Sequence, residues 1–262
     1  MTSSDNLGKQ ADTQAIAKRF DQAYHSYRTH ATVQADMARR LMASLVAYSQ
    51  RTHFGRVLEI GCGSGLLTDE FAKVCTADEM YLNDLYPQIC HNPKPSQLAD
   101  AHYQYLIGDA RTLALPDGLE LIISGAAMQW MYPLDTLMDK LYQSLGSGGY
   151  VALSTFGPQN LWQIKHLTGQ GLTYHSADEL SVILTKAGFG LDMMMEYEQT
   201  LSFDTPVAVL RHLQQTGVTA TSSQFRWTKQ RLQAFCQEYH AMSDGQGVAL
   251  TYQPMLIIVH KV

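Results

Sequence analysis

Three features of this sequence predict an α/β fold built on a doubly wound parallel sheet. Short apolar runs alternate with helical patterns over residues 57–186. A glycine-rich turn joins the first run to a helix, and acidic residues stand at or beside the ends of the first three runs. Composition agrees: the 262 residues are 45% hydrophobic and 16% charged, ordinary values for a globular chain long enough to bury a substantial core.

Taken in order, residues 12–28 and 32–50 read as two helices. In the second, Val33, Met37, Leu41, Leu45 and Val46 share one face, and Arg51 and His53 follow its C-terminal end. Val57–Ile60, Met80–Asn83, Tyr103–Ile107, Leu119–Ile123 and Tyr150–Thr155 read as buried parallel strands. Leu66–Val74, Pro133–Leu145 and Ala177–Lys186 read as the connecting helices; Asp178 and Glu179 favour the last helix's N-terminus, and Gly188 follows its end. Glu196–Phe203 and Met255–His260 are expected to be two further strands. Residues 157–175 and 205–247 break the alternation, the latter with helical patterns near 206–215 and 228–241. Excursions this long usually carry function as lids or substrate walls.

The chain divides accordingly into N-terminal helices covering the active site (1–50), a cofactor-binding core (51–204), an inserted helical cap (205–247) and the final core strand (248–262). The first fourteen residues are polar and lack a secretory h-region, and no apolar run approaches the roughly 20 residues needed to span a bilayer. Cys62, Cys75, Cys90 and Cys236 are scattered without a C-x-x-C pair, which predicts reduced thiols, no zinc site and a cytoplasmic location. A net charge of −5 argues against nucleic-acid binding. No metal and no membrane association are expected, and a monomer is.

Val57 to Thr68 gives a strand, the turn Gly61-Cys62-Gly63-Ser64-Gly65 and a helix start. Glycines here let the backbone reach positive φ and let a ligand approach closely. A G-x-G-x-G turn alone is shared by many nucleotide sites. Glu59 sharpens it: a carboxylate there repels a pyrophosphate but suits the ammonium of a methionyl group. The spacing also departs from the G-x-G-x-x-G of dinucleotide folds. Asp84, followed by Leu85, stands where a carboxylate can accept ribose hydroxyls. Asp109-Ala110 stands where the adenine amino group can be read. Ser124 and Met128 belong to the segment expected to pass beside the methyl group. Each has a plainer reading, as a turn, a cap or core packing. For Trp130 and Tyr132 the core reading is as good as the functional one.

Over roughly residues 50–200 the series resembles the class I S-adenosylmethionine-dependent methyltransferases. The resemblance implies a Rossmann-like, seven-stranded sheet whose last strand is antiparallel, with S-adenosylmethionine held by Glu59, Gly61, Cys62, Gly63, Gly65, Asp84, Leu85, Asp109, Ala110, Ser124 and Met128. Gly146-Ser147-Gly148-Gly149 matches the family's usual turn, with Ser147 in place of a common Pro.

A narrower likeness runs through Arg19-Phe20, Tyr24, Tyr27 and Gln34, then Ser154–Pro158, Leu172–Ser176, Leu210–Leu213, Thr216–Thr219 and Leu250–Tyr252. These segments resemble the malonyl-acyl-carrier-protein O-methyltransferases of biotin synthesis, although Gln214 stands where a Lys is expected. The resemblance implies methylation of the free carboxylate of a malonyl thioester, with an acyl carrier protein as partner. Such a carboxylate, with a pKa of about 4, is already ionised at neutral pH, so no general base is needed. Alignment of the reactants can supply up to roughly 7–11 kcal/mol. Tyr24, Tyr27, Lys165, His166, His175 and Arg211 are the candidate substrate contacts, each with a plain alternative as packing or surface charge. Within residues 205–243, Arg211, Arg226, Lys229 and Arg231 face a single acid, Glu238. That basic excursion could dock an acidic carrier; scattered solvated charges are the equal alternative.

Three other functions predict different ligands. A methyltransferase for a small carboxylic acid or quinone precursor needs an enclosed pocket. A non-catalytic regulator would bind S-adenosylmethionine without turnover. A dehydrogenase would bind NAD, which Glu59 and the glycine spacing disfavour.

Overall fold

The computed structural model describes residues 27–217, 226–243, 245 and 247–262. The expected helix over 12–28, apart from its last two residues, and Tyr24 with it, lies outside the described residues. Residues 27–30 are helical and lead into α1 (Thr32–Ser49). The core then runs β1 (His53–Ile60), α2 (Leu66–Val74), β2 (Thr76–Asp84), β3 (His102–Ile107), β4 (Leu119–Gly125), α3 (Leu134–Ser144), β5 (Leu145–Phe156), α4 (Trp162–Thr168), α5 (Ala177–Lys186) and β6 (Phe189–Glu196). It continues with β7 (Gln199–Phe203), α6 (Pro206–Gln215), α7 (Lys229–Ala241), β8 (Val248–Tyr252) and β9 (Pro254–Lys261).

The main sheet has seven strands in the order β3-β2-β1-β4-β5-β9-β6. The first five are parallel, and β9 pairs antiparallel with both β5 and β6. Its inner strands are apolar runs because both faces are covered. Along each strand alternate residues go to opposite layers. Val57, Leu121, Ile123 and Ile258 pack with Met37, Leu41 and Leu45 of α1. Leu58, Ile122, Ile257 and Val259 pack with Leu141 of α3 and Leu180 and Leu184 of α5. The helical spacing read in α1 is thus the spacing of its buried face, which also includes Gln34. At the start of α5, the Ser176 hydroxyl accepts the Glu179 N–H while the Glu179 carboxylate accepts the Ser176 N–H, a reciprocal cap.

Two expectations need correction. Glu196–Phe203 is not one strand: Phe189–Glu196 forms the edge of the main sheet, and Gln199–Phe203 turns away after Tyr197 and Glu198. Residues 248–262 are not one strand either. Val248–Tyr252 pairs with Gln199–Phe203 in a separate two-stranded ribbon, and only Pro254–Lys261 enters the core sheet. The ribbon therefore brackets α6 and α7. These helices pack on each other, and α7 also packs on α4.

Strand order reverses between β1 and β4, opening a crevice at the carboxyl ends of the strands, the usual ligand position in such sheets. The strand ends around it are stitched together. Gly61 and Cys62 N–H both donate to the Asn83 carbonyl (2.8 and 3.0 Å), and the Asn83 amide donates to the carbonyls of Leu106 and Gly108 (2.7 and 2.9 Å). Across the crevice, the Ala126 N–H donates to the Ser154 carbonyl (2.9 Å).

Candidate active site

The crevice is an open cleft of about 1210 Å³, its open mouth included. Its floor is the glycine turn. Gly61 (φ 70°), Gly63 (φ 48°) and Gly65 (φ 81°) all adopt conformations that L side chains avoid. A Cβ on Gly61 would lie 2.4 Å from the Ala127 Cβ, so glycine is required there on two counts. Gly61, Cys62 and Gly63 line the cleft, whereas Gly65 serves as the N-cap of α2. The Cys62 thiol is driven well above its ordinary pKa by burial, and so stays protonated.

Glu59 lines the cleft at only 1% exposure. Thr68 donates to its carboxylate, the hydroxyl at 2.6 Å. Burial, with the charges of Asp69 and Asp84 adding to it, pushes its pKa up to about 8. A carboxylate so placed is short of a cation. Asp84 ends β2 and accepts the N–H groups of Gly63 (2.8 Å) and Tyr86 (3.1 Å). These donors only partly offset the upward shift that burial imposes. Leu85, Ala110 and Asp109 complete that side. The Asp109 carboxylate is engaged by Arg111, through Nε at 2.9 and 3.1 Å, Nη2 at 2.6 Å and the backbone N–H at 3.0 Å. That ion pair holds the Asp109 pKa below its ordinary value.

Two expected cofactor contacts are displaced. Ser124 does not line the cleft: its buried hydroxyl donates to the Ile60 carbonyl (2.9 Å), tying β4 to β1. Met128 packs into the core layer beneath α3 and α5. The wall that this segment does offer is Ala126, Ala127, Trp130 and Met131, with Ala126 at a strained φ of 50°. Tyr132 is exposed and lies outside the lining.

Of the candidate substrate contacts, Tyr27 lines the cleft, and desolvation raises its phenol pKa, leaving it a neutral group. Lys165, His166, His175 and Arg211 are not among the lining residues. Lys165 and His166 sit in the last turn of α4, Arg211 is exposed on α6, and His175 Nδ1 lies 3.8 Å from Glu179. Sequence reading missed Arg28, which ion-pairs with Asp69 and donates to the Ser64 carbonyl (2.7 Å), tying the N-terminal helical residues to the glycine turn. It also missed Arg111, Tyr86 and Met131 as lining residues. Gln34 and Ala38 line the cleft from α1, seven and eleven residues beyond Tyr27, a helical spacing that was there to be read.

A family model described as a methyltransferase domain matches residues 31–192. A malonyl-[acyl-carrier protein] O-methyltransferase of Acinetobacter baylyi is 38% identical over 249 residues, covering 94% of this chain and 96% of its own. Its namesake from Bacteroides thetaiotaomicron is 35% identical, covering 94% and 97%. This chain belongs to the class I S-adenosylmethionine-dependent methyltransferases. Among solved structures, the YcgJ protein of Bacillus subtilis superposes on this methyltransferase with a TM-score of 0.60 at 14% identity, over 85% of this chain and 98% of its own; that likeness is one of fold.

The methyltransferase uses S-adenosylmethionine, and the cleft fits it. The buried, cation-poor Glu59 suits an ammonium, Asp84 has lone pairs left to accept hydroxyls, and no Cβ intrudes at Gly61 or Gly63. The apolar wall of Ala126, Ala127, Trp130 and Met131 suits a site from which water is excluded during methyl transfer.

Proposed function

We propose that the protein methylates the free carboxylate of a malonyl group carried on an acyl carrier protein, giving the methyl ester. Near-full-length likeness to methyltransferases named for that reaction carries the reading, at 33–38% identity. The cleft chemistry supports it. S-adenosylmethionine supplies, when bound, an electrophilic methyl group on a sulfonium sulfur. Glu59 would hold its ammonium end, Asp84 its ribose, and Gly61, Cys62 and Gly63 the floor beneath it. Leu85 and Ala110 would flank the adenine, with Asp109 beside it but occupied by Arg111. The malonyl carboxylate is ionised at neutral pH, so what remains for the chain is orientation and the exclusion of water. Neutral lining groups serve this better than a tight cation, which would reduce the nucleophilicity of the carboxylate.

The N-terminal segment, including Tyr27, is proposed as a cover over the cleft, and residues 205–247 as the cap that receives the carrier. Arg211 then becomes a surface group of that cap, and Lys165 and His166 groups of the α4 helix packed against it, instead of contacts to the reacting carboxylate. With Arg226, Lys229 and Arg231 they sit on α4, α6, α7 and the stretch just before α7; α4 and α6 each pack on α7. Incubation with methyl-labelled S-adenosylmethionine and malonyl carrier protein should place label on the carrier in a base-labile ester, with acetyl carrier protein unlabelled. Asp84→Ala should remove the label and cofactor binding together. Faster transfer to free small acids than to the carrier would refute the assignment.

A further inference from the structure

We propose that the Gln34 side chain receives a carboxylate in the cleft. The buried face of α1 is apolar except for Gln34 and Ser49. Ser49 is satisfied locally, its hydroxyl accepting the Arg51 N–H at 3.2 Å. Gln34 is not: at 6% exposure it lines the cleft, and its amide makes no hydrogen bond among the described residues. An amide that opens from an otherwise apolar stripe into the cleft, with no protein partner among the described residues, is available to a ligand there.

The charge of the lining bears on how a carboxylate would be held there. Glu59, Asp84 and Asp109 are acids, and Arg111 is the one basic side chain among the described lining residues. Arg111 is committed to Asp109 through both Nε and Nη2. Among the described lining residues a carboxylate therefore meets no uncommitted cation, and the donors they offer it are neutral. Gln34 supplies two N–H donors and carries no charge. It can orient a carboxylate oxygen while leaving that oxygen nucleophilic. Two ligands bring such a group: the methionyl end of the cofactor and, resting on the function proposed above, the malonyl acceptor.

Gln34→Met keeps the side-chain volume and removes the amide; Gln34→Glu keeps the shape and adds a repelling charge. S-adenosylhomocysteine affinity by calorimetry, KM and kcat with malonyl carrier protein, and the melting temperature of the empty protein separate the outcomes. The expected result for Gln34→Met is an unchanged or raised melting temperature with a loss of roughly tenfold in one affinity, and a larger loss for Gln34→Glu. Weaker S-adenosylhomocysteine binding assigns the methionyl carboxylate. Raised KM with cofactor affinity intact assigns the acceptor. A lowered melting temperature with both constants held would make Gln34 structural and overturn the proposal, as would no change in any measurement. If the unmodified protein fails to methylate malonyl carrier protein, the proposed function falls alone, and calorimetry decides for Gln34: unchanged affinity then overturns it.

Discussion

Glu59 shows how one residue's surroundings set its task. An acid whose folded pKa lies above its unfolded value binds an extra proton in the folded state. Raised from 4.5 to about 8, Glu59 therefore costs the empty protein stability as pH rises through that window. Glu59→Gln should be more stable than the parent by a margin that grows from pH 5 to pH 8 and then levels, as measured by urea unfolding at each pH. A constant margin would mean that Glu59 does not titrate in that window. The same substitution should weaken S-adenosylhomocysteine binding. Gly61 is constrained more simply. Gly61→Ala incurs about 1–2 kcal/mol for its positive φ, before the 2.4 Å approach to Ala127 is counted. Melting should fall by several degrees, and cofactor affinity with it; an unchanged melting temperature would show that the turn relaxes freely.

Among elements, what could be read from the sequence depended on burial. β1, β2, β4, β5 and β9 announce themselves as apolar runs because they lie inside the sheet, with packed layers on both faces. β6 is an edge strand whose Leu191, Met195 and Glu196 face solvent, so Gly190, Asp192 and Glu196 interrupt the apolar signal and hide it. The glycine turn and Asp84 could be placed from spacing alone. Ser124 and Met128 could not: Ser124 lies inside β4, which aims its hydroxyl at β1, and the direction of Met128 follows from the backbone beyond the strand, here after the positive φ of Ala126. Nor could Lys165 or His166 be separated from the site, since only packing puts α4 against α7. The proposed cap makes its own prediction. Arg226→Glu with Lys229→Glu changes exposed charges, one of them in the first turn of α7, where an acid is tolerated. KM for carrier-bound substrate should rise roughly threefold to tenfold and lose its salt dependence, while a small malonyl thioester reacts as before. Equal loss with both substrates would remove α7 from carrier docking.

For the whole molecule, the cofactor site joins strand ends that belong to different parts of the sheet. Its occupation should therefore stabilise the fold as a unit. S-adenosylhomocysteine at a hundred times its dissociation constant should add about 2.7 kcal/mol, or roughly 5–10 °C in melting temperature for a chain of this size. The same addition to Asp84→Ala should move it far less. A shift of equal size in both would place the ligand elsewhere. Buried polar contacts also tie α4 and α6 to the ribbon. His212 of α6 meets the Tyr252 hydroxyl of β8 at 2.9 Å, and the Gln163 amide of α4 donates to the Thr251 hydroxyl at 2.8 Å.

The ribbon of β7 and β8 gives this architecture an evolutionary latitude. Gln199 stands opposite Tyr252, so the chain leaves the core and returns to it at a single point. Closing a loop costs little more as it lengthens. The segment between those two residues can therefore grow, shrink or be replaced as a cassette while the seven strands keep their register. The cap proposed above would put acceptor choice in the part that can change, apart from the strand ends proposed to hold the donor. Grafting the 199–252 segment between members of the family is a route by which one such enzyme could acquire another's substrate.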